Sequence, residues 1–236
     1  MMDVVILAGG KGSRLAELTV ETPKGLAPIG DRPILSHIMG LFSRRGHRRF
    51  ILCVGYQGAK IAEWYAAHAE PGWTVITSDL GVDATKSARV AAALEHVQSD
   101  RFWLSYGDDL SDVDLDAVDA QARATNSVVT LTAIQPASPF GVMDLAASGD
   151  VTGFREKCRM TDWINGGFMS VSRDLARWLP RGELEQEVFL ALVAERRINA
   201  YKHHGFWKAM NTHKDYLELR ELAGSGELLR QLGATP

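Results

Sequence analysis

The chain has few cysteines: Cys53 and Cys158 are the two among 236 residues. Two thiols cannot form a disulfide-rich scaffold, nor a four-ligand zinc site without other ligands. No apolar run approaches the length of a membrane span. The start MMDVVILAGG lacks the basic residues and long apolar core of a signal peptide. We therefore expect a reduced, cytoplasmic protein.

Charge of one sign is also scarce, since 29 acidic and 26 basic residues leave a formal net charge of −3. Such a balance creates no broad positive field, so we expect no nucleic acid partner and no membrane partner. A local basic site for a small phosphate ligand remains compatible with it. The length of 236 residues and the 46% hydrophobic fraction suffice for one well-buried domain.

Short β-branched runs alternate with amphipathic segments along the chain. The pattern predicts strands over 3–8, 50–55, 73–78, 102–109, 127–134, 163–172 and 198–204, with antiparallel strands within 141–157. Helices are predicted from Pro33 to a stop at Gly46 and over 59–67, 86–97, 114–125, 183–196 and 214–222. This alternation predicts an α/β fold with a Rossmann-like, mixed but mostly parallel sheet and helices on both faces. Ligands in such sheets bind at the carboxyl ends of the strands.

The first strand ends in a glycine-rich loop, LAGGKGSRL, over residues 7–15. Its three glycines allow a sharp turn that brings backbone amides to phosphate oxygens. Lys11 and Arg14 add positive charge, and the fork of Arg14 suits two oxygens at once. The loop lacks the G-K-S/T end of a P-loop and the G-x-G-x-x-G pattern of dinucleotide-binding folds, which disfavours a phosphate-loop ATPase or kinase.

Five ordered motifs then carry a family resemblance. LAGGKGSRL and TPKGLAPIGDRPIL are followed by YGDD at 106–109, FREK at 154–157, INGGF at 164–168 and GFWKAMNT at 205–212. Together they resemble the sugar-1-phosphate nucleotidyltransferases, and within that family the glucose-1-phosphate cytidylyltransferases. The resemblance implies the nucleotide-diphospho-sugar transferase fold in a single domain over 1–236. Residues up to about 110 would bind the nucleotide, and the rest the sugar phosphate.

The resemblance also implies roles for individual residues. Arg14, Lys24 and Lys157 would be catalytic, neutralising the phosphates of the two substrates. The nucleotide would contact Leu7, Ala8, Gly9, Gly10, Lys11, Gly12, Ser13, Arg14, Thr85 and Lys86. The sugar phosphate would contact Glu156, Lys157, Asn165 and Gly166. Mg²⁺ would be held by Asp108, with Asp109 and Asn211 as further candidate ligands.

Three departures from the family pattern leave alternatives open. Asn211 stands where the family has a metal-binding aspartate, and residues 83–86 replace the T-G-G-R stretch that helps the cytidylyltransferases to recognise cytosine. The motifs P-K-P and E-K-P read P-K-G and E-K-C here.

The sequence predicts transfer of a nucleoside monophosphate, favouring CMP from CTP, to a sugar 1-phosphate with release of pyrophosphate. Another nucleoside triphosphate, another phosphate or phosphonate acceptor, a non-catalytic regulatory subunit that binds nucleotide sugars, and a homo-oligomer remain alternatives.

Overall fold

A computed structural model describes residues 1–15 and 21–233. Residues 16–20 and 234–236 of the predicted domain therefore lie outside the described residues. The strands, in chain order, are β1 (Val4–Leu7), β2 (Pro28–Ile29), β3 (Arg32–Pro33), β4 (Arg49–Val54), β5 (Thr74–Asp79), β6 (Arg101–Tyr106), β7 (Asp109–Ser111), β8 (Val129–Ile134), β9 (Val142–Leu145), β10 (Val151–Arg155), β11 (Ile164–Asn165), β12 (Met169–Ser172), β13 (Ile198–Lys202) and β14 (Trp207–Ala209). The helices are α1 (Ile34–Arg44), α2 (Gly58–His68), α3 (Lys86–Ala93), α4 (Leu115–Ala124), α5 (Phe189–Ala194), α6 (His213–Gly224) and α7 (Glu227–Gln231).

Eight strands form the central sheet. β8 pairs with β13 on one edge and with both β11 and β12 on the other. From β12 the order continues through β6, β1 and β4 to β5. β1 runs parallel to both β4 and β6, and β13 runs parallel to β8. Among the described residues, only β11 and β12 pair antiparallel within this sheet, so the predicted mixed, mostly parallel sheet is confirmed.

Apolar side chains cover both faces of the sheet. Val4 and Ile6 belong to one core cluster, whereas Val5, which points the other way along β1, belongs to the second. A strand buried on both faces has to be apolar throughout, which explains the continuous run VVIL. Each fully buried valine or isoleucine contributes about 1.5–3 kcal/mol relative to an exposed one.

Several helix starts follow local rules. α1 begins at Ile34, one residue after the predicted start, because Pro33 is extended with a ψ of 153° and precedes the helix as its N-cap. Thr85 caps α3 by accepting a hydrogen bond from the Ala88 amide, and Thr212 and Asp215 form a capping box at α6. None of the described helices has both the length and the apolar character needed to cross a membrane.

Some predicted boundaries are wrong. The strand predicted over 163–172 is interrupted between β11 and β12, because Gly167 and Phe168 have φ angles of +75° and +44° that break the ladder. The helix predicted over 86–97 ends at Ala93, and the helix predicted over 183–196 opens with a π turn, Leu184–Val188, before α5. The strand predicted over 102–109 ends at Tyr106, and Asp109 instead begins β7, which pairs with β14.

Candidate active site

The glycine-rich loop leaves β1 at the carboxyl edge of the sheet. The Ala8 amide bonds to the Cys53 carbonyl at 2.9 Å, and the Tyr56 amide to the Gly9 carbonyl at 3.2 Å, so the loop is fastened to the end of β4. Gly12 has a φ of +62°, a left-handed conformation that favours glycine. A cleft of about 500 Å³ opens beside the loop.

Five of the predicted nucleotide-binding residues of the loop line this cleft. They are Leu7, Ala8, Gly9, Gly10 and Gly12. Lys11, Ser13 and Arg14 are exposed beside this lining, and Lys11 forms a 3.8 Å ion pair with Asp83. The loop therefore presents its backbone to the cleft, and its positively charged side chains are exposed to solvent.

Lys24 faces the loop from a 3₁₀ turn, Lys24–Leu26, that follows Pro23. Its ammonium group forms an ion pair with the carboxylate of Asp108, and both side chains are largely buried in the cleft wall. Asp108 lies just beyond β6, where the Gly107 amide bonds to the Leu7 carbonyl at 3.0 Å. A Cβ on Gly107 would stand 3.0 Å from that carbonyl oxygen, so glycine permits the close approach of the two strand ends.

Asp109 and Asn211 join Asp108 in the same cleft. Antiparallel pairing of β7 with β14 brings them together, and the Met210 amide bonds to the Asp108 carbonyl at 2.9 Å. Burial, together with the neighbouring Asp108 carboxylate, holds the pKa of Asp109 well above its usual range, although Lys24 and Lys86 oppose the shift.

These three side chains supply hard oxygen donors, as the sequence predicts for Mg²⁺. Among the described residues no group of three or more histidine, cysteine, aspartate or glutamate side chains is placed to hold a metal. Mg²⁺ usually takes only one or two protein carboxylates and completes its shell with water and substrate phosphates. The set of two carboxylates and an amide oxygen fits that mode of binding.

The opposite wall is formed by Asn165 and its neighbours. Asn165 donates a hydrogen bond to the Tyr106 hydroxyl at 2.9 Å and accepts one from the Gly167 amide at 3.0 Å. Gly166 is buried behind it, and its carbonyl accepts a 3.0 Å hydrogen bond from the Trp207 indole. A Cβ on Gly166 would stand 3.0 Å from Ile134, so this segment packs tightly under the cleft.

Glu156 and Lys157 lie apart from the cleft. Both side chains are exposed, and Lys157 lines a neighbouring cavity of about 570 Å³. Trp207 forms part of the wall of both spaces. Lys24 and Lys157, both predicted to be catalytic, therefore line different cavities in this structure, and Arg14 is exposed in the glycine-rich loop. Lys157 follows the β9–β10 hairpin with a φ of +51°, a turn that the order of motifs could not reveal.

Thr85 and Lys86, the last two of the predicted nucleotide-binding residues, also separate. Lys86 lines the cleft, whereas Thr85 lines a different cavity behind α3. The Thr85 hydroxyl is occupied as the helix cap, 3.0 Å from the Ala88 amide. Lys86 is thus the residue of this pair that is available to a ligand in the cleft.

Four further residues at the site were not among the predicted site residues, although Tyr106 and Trp207 lie within the motifs YGDD and GFWKAMNT. Arg89 and Tyr106 line the cleft, Glu185 contacts Tyr106 from the π turn, and Trp207 separates the two cavities. Arg89 sits within an alanine-rich helix and Glu185 within an ordinary charged one, so their roles become visible only through long-range contacts.

Comparison with known proteins agrees with this geometry. Residues 3–224 match the family model described as Nucleotidyl transferase. This chain belongs to that family. Glucose-1-phosphate cytidylyltransferase of Salmonella typhimurium is 34% identical over 258 residues, a match that covers 96% of this chain and 97% of the relative. The predicted family and enzyme class are thereby confirmed.

Two other similarities extend the comparison. Mannose-1-phosphate guanylyltransferase of Mycobacterium tuberculosis is 28% identical over 246 residues, covering 100% of this chain and 67% of that protein. The crystal structure of HddC from Yersinia pseudotuberculosis, complexed with GMP-PN, aligns with a TM-score of 0.74 at 20% identity. It covers 94% of this chain and 99% of HddC, which supports the fold.

Proposed function

We propose that this chain transfers CMP from CTP to the phosphate of a sugar 1-phosphate and releases pyrophosphate. The observation that carries the proposal is that one cleft brings together the glycine-rich loop, Lys24 and Asp108. The similarity to the Salmonella cytidylyltransferase over nearly the whole chain supports both the reaction type and the choice of CTP.

The reaction is a direct displacement at phosphorus. An oxygen of the acceptor phosphate attacks the α-phosphorus of the nucleotide, a new P–O–P bond forms, and the bond from the α-phosphorus to the bridging oxygen of the β-phosphate breaks. Pyrophosphate leaves with that electron pair. Two anions have to meet, so positioning and charge neutralisation are the main tasks of the protein.

No protein nucleophile is needed for this step. Burial raises the pKa of the Cys53 thiol to about 12, and Cys53 lies in the core beneath the sheet edge. Backbone amides of residues 9–12 would hold the triphosphate, and Lys24 would stabilise the negative charge that develops at the α-phosphate. Its ion pair with Asp108 keeps the ammonium group directed into the cleft before substrate arrives.

Asp108, with Asn211 and in its ionised form Asp109, would hold Mg²⁺. The ion would supply a charge sink for the triphosphate oxygens. By family resemblance, Arg14 would approach the departing pyrophosphate. Lys157 would contact the sugar phosphate only if the segment after β10 moves toward the cleft, since it lines the neighbouring cavity here.

The central test is pyrophosphate release by the purified chain. The assay would compare CTP, UTP, dTTP, GTP and ATP, each with glucose 1-phosphate and mannose 1-phosphate, in the presence and absence of Mg²⁺. We expect the highest rate with CTP and a loss of turnover when EDTA removes the metal. A higher rate with another nucleotide would contradict the assignment of CTP as the substrate. Hydrolysis without an acceptor would contradict the reaction type.

A matched pair of variants tests the assignment of Lys24. Lys24→Ala should lower turnover roughly a hundredfold or more, because it removes a group that stabilises charge in the transition state. Lys214→Ala removes an exposed lysine that pairs with Glu218 at 3.9 Å on α6, and its turnover should match that of the unaltered protein. Equal turnover in both variants would contradict the role of Lys24.

Asn211 favours one alternative, a regulatory subunit that binds nucleotide sugars without catalysis. A neutral amide oxygen is a weaker metal ligand than the aspartate at this position of the family. Mg²⁺-dependent pyrophosphate release by this chain alone would exclude that alternative. The cytoplasmic location and a homo-oligomer stay predictions from the sequence.

A further inference from the structure

Glu185 connects two walls of the cleft through a single carboxylate oxygen. It lies on the π turn Leu184–Val188, and its Oε1 is 2.5 Å from the Lys86 ammonium and 2.8 Å from the Tyr106 hydroxyl. π turns within helices are rare and frequently occur at functional sites. This turn brings a carboxylate from residue 185 to two residues some 80 to 100 positions earlier in the chain.

Tyr106 extends the contact to the acceptor side. Its hydroxyl donates to Glu185 and accepts a hydrogen bond from the Asn165 amide nitrogen at 2.9 Å. The Asn165 carbonyl oxygen in turn accepts from the Gly167 amide at 3.0 Å. With both ends of its amide engaged, Asn165 has a fixed orientation, and its second N–H remains for a ligand.

Lys86 is held in a similar way. Its ammonium group contacts Glu185 and lies 5.2 Å from the centre of the Tyr106 ring. One carboxylate therefore restrains a cation on the nucleotide side and, through Tyr106, an amide on the acceptor side.

We propose that Glu185 is a positioning residue that aims Lys86 at the nucleotide and, through Tyr106, orients Asn165 toward the acceptor. This inference rests on the proposed nucleotidyl transfer, because that function assigns the two sides of the cleft to two substrates. Glu185 itself touches neither substrate in this scheme.

Two single variants should separate the effect of Glu185 on Lys86 from its effect on Asn165 through Tyr106. Glu185→Gln keeps an oxygen that can accept from Tyr106 but loses the charge that holds Lys86. We expect KM for the nucleotide to rise about tenfold, the size of a lost charge-assisted hydrogen bond, with KM for the acceptor changed less than about twofold. Tyr106→Phe removes the hydroxyl that binds Asn165, so KM for the acceptor should rise instead.

A double variant tests whether Glu185 acts through Lys86. If it does, adding Glu185→Gln to Lys86→Gln should leave KM for the nucleotide unchanged, since the group being positioned is already gone. Glu195→Gln is the matched control: it removes an exposed glutamate that pairs with Arg181 at 3.1 Å, and both KM values should stay as in the unaltered protein. Thermal unfolding of each variant confirms that it folds.

Two results would overturn the proposal. A parallel rise of both KM values in Glu185→Gln, with a lower melting temperature, would show that Glu185 only stabilises the fold. A lower nucleotide KM in Glu185→Gln would show that Glu185 competes with the nucleotide for Lys86. Calorimetric binding of CTP keeps this test independent of turnover: a chain that binds CTP but releases no pyrophosphate would contradict the proposed function, while the effect of Glu185→Gln on CTP affinity would still decide the role of Glu185.

Discussion

At the residue scale, two adjacent glycines of the glycine-rich loop face different surroundings. A Cβ on Gly9 would stand 2.5 Å from the Arg89 guanidinium, whereas a Cβ on Gly10 would meet no atom within 4 Å. Neither glycine has a left-handed φ, so only the available space distinguishes them. Position 9 requires glycine because the buried Arg89 side chain fills the space that a Cβ would occupy.

This difference predicts unequal stability in two alanine variants. Gly9→Ala should lower the free energy of unfolding by roughly 1–3 kcal/mol, the usual cost of overpacking a filled site. Gly10→Ala should change it by less than about 0.5 kcal/mol, as for an ordinary surface substitution. Urea unfolding of both variants measures the difference. Equal losses would mean that Arg89 moves aside without cost.

At the scale of the elements, Arg89 fastens α3 to two loops. Its guanidinium donates to the Val54 carbonyl at the end of β4, and to the Gly81 carbonyl at 2.5 Å and the Val82 carbonyl at 3.4 Å after β5. These loops and the glycine-rich loop meet around this buried side chain. Its planar fork, which lysine lacks, allows one residue to bridge carbonyls from separate segments.

Arg89→Met should therefore destabilise the protein. The carbonyls lose their donor, and each buried acceptor left unsatisfied costs about 1–3 kcal/mol, so we expect a total loss of at least about 2 kcal/mol in urea unfolding. Arg177→Met removes an exposed arginine that pairs with Asp174 at 3.4 Å and should be nearly neutral. Unchanged stability in Arg89→Met would contradict the fastening role.

At the scale of the whole molecule, two buried histidines make stability depend on pH. His47 accepts a 3.0 Å hydrogen bond from the Met2 amide through Nδ1, and His37 Nε2 lies 2.8 Å from the Ile29 carbonyl. Burial lowers the pKa of both. The unfolded chain thus takes up protons at a higher pH than the folded one. The stability from these neutral rings is complete above about pH 6.5 and is lost as the pH falls through the lowered pKa values.

The paired substitution His37→Gln and His47→Asn tests this dependence, because glutamine can donate from near Nε2 and asparagine can accept near Nδ1. Between pH 7.5 and 5.5 the unaltered protein should lose more unfolding free energy than the double variant. The difference between the two losses can reach at most about 1.4 kcal/mol per pH unit for each histidine. Urea unfolding at both pH values measures these losses. Equal losses in the two proteins would exclude the histidines as the cause of the pH dependence.

Much of this molecule could be predicted from its sequence because its signals are local. The apolar run of β1, the proline before α1 and the loop after Leu7 each fix structure within a few residues, and the sheet class follows from their alternation. The pairing of β7 with β14 joins segments about 100 residues apart and has no local signal. The contacts of Glu185 and the direction of Lys157 after the β9–β10 hairpin likewise have no local signal.

The proposed reaction requires that both substrates meet where the glycine-rich loop faces Lys24 and Asp108. A crystal structure of the chain with CTP and Mg²⁺ tests it most directly. We predict the triphosphate against the amides of residues 9–12, the Lys24 ammonium on the α-phosphate and the metal on Asp108. A triphosphate bound in another cavity, with Lys24 still paired only to Asp108, would contradict the account.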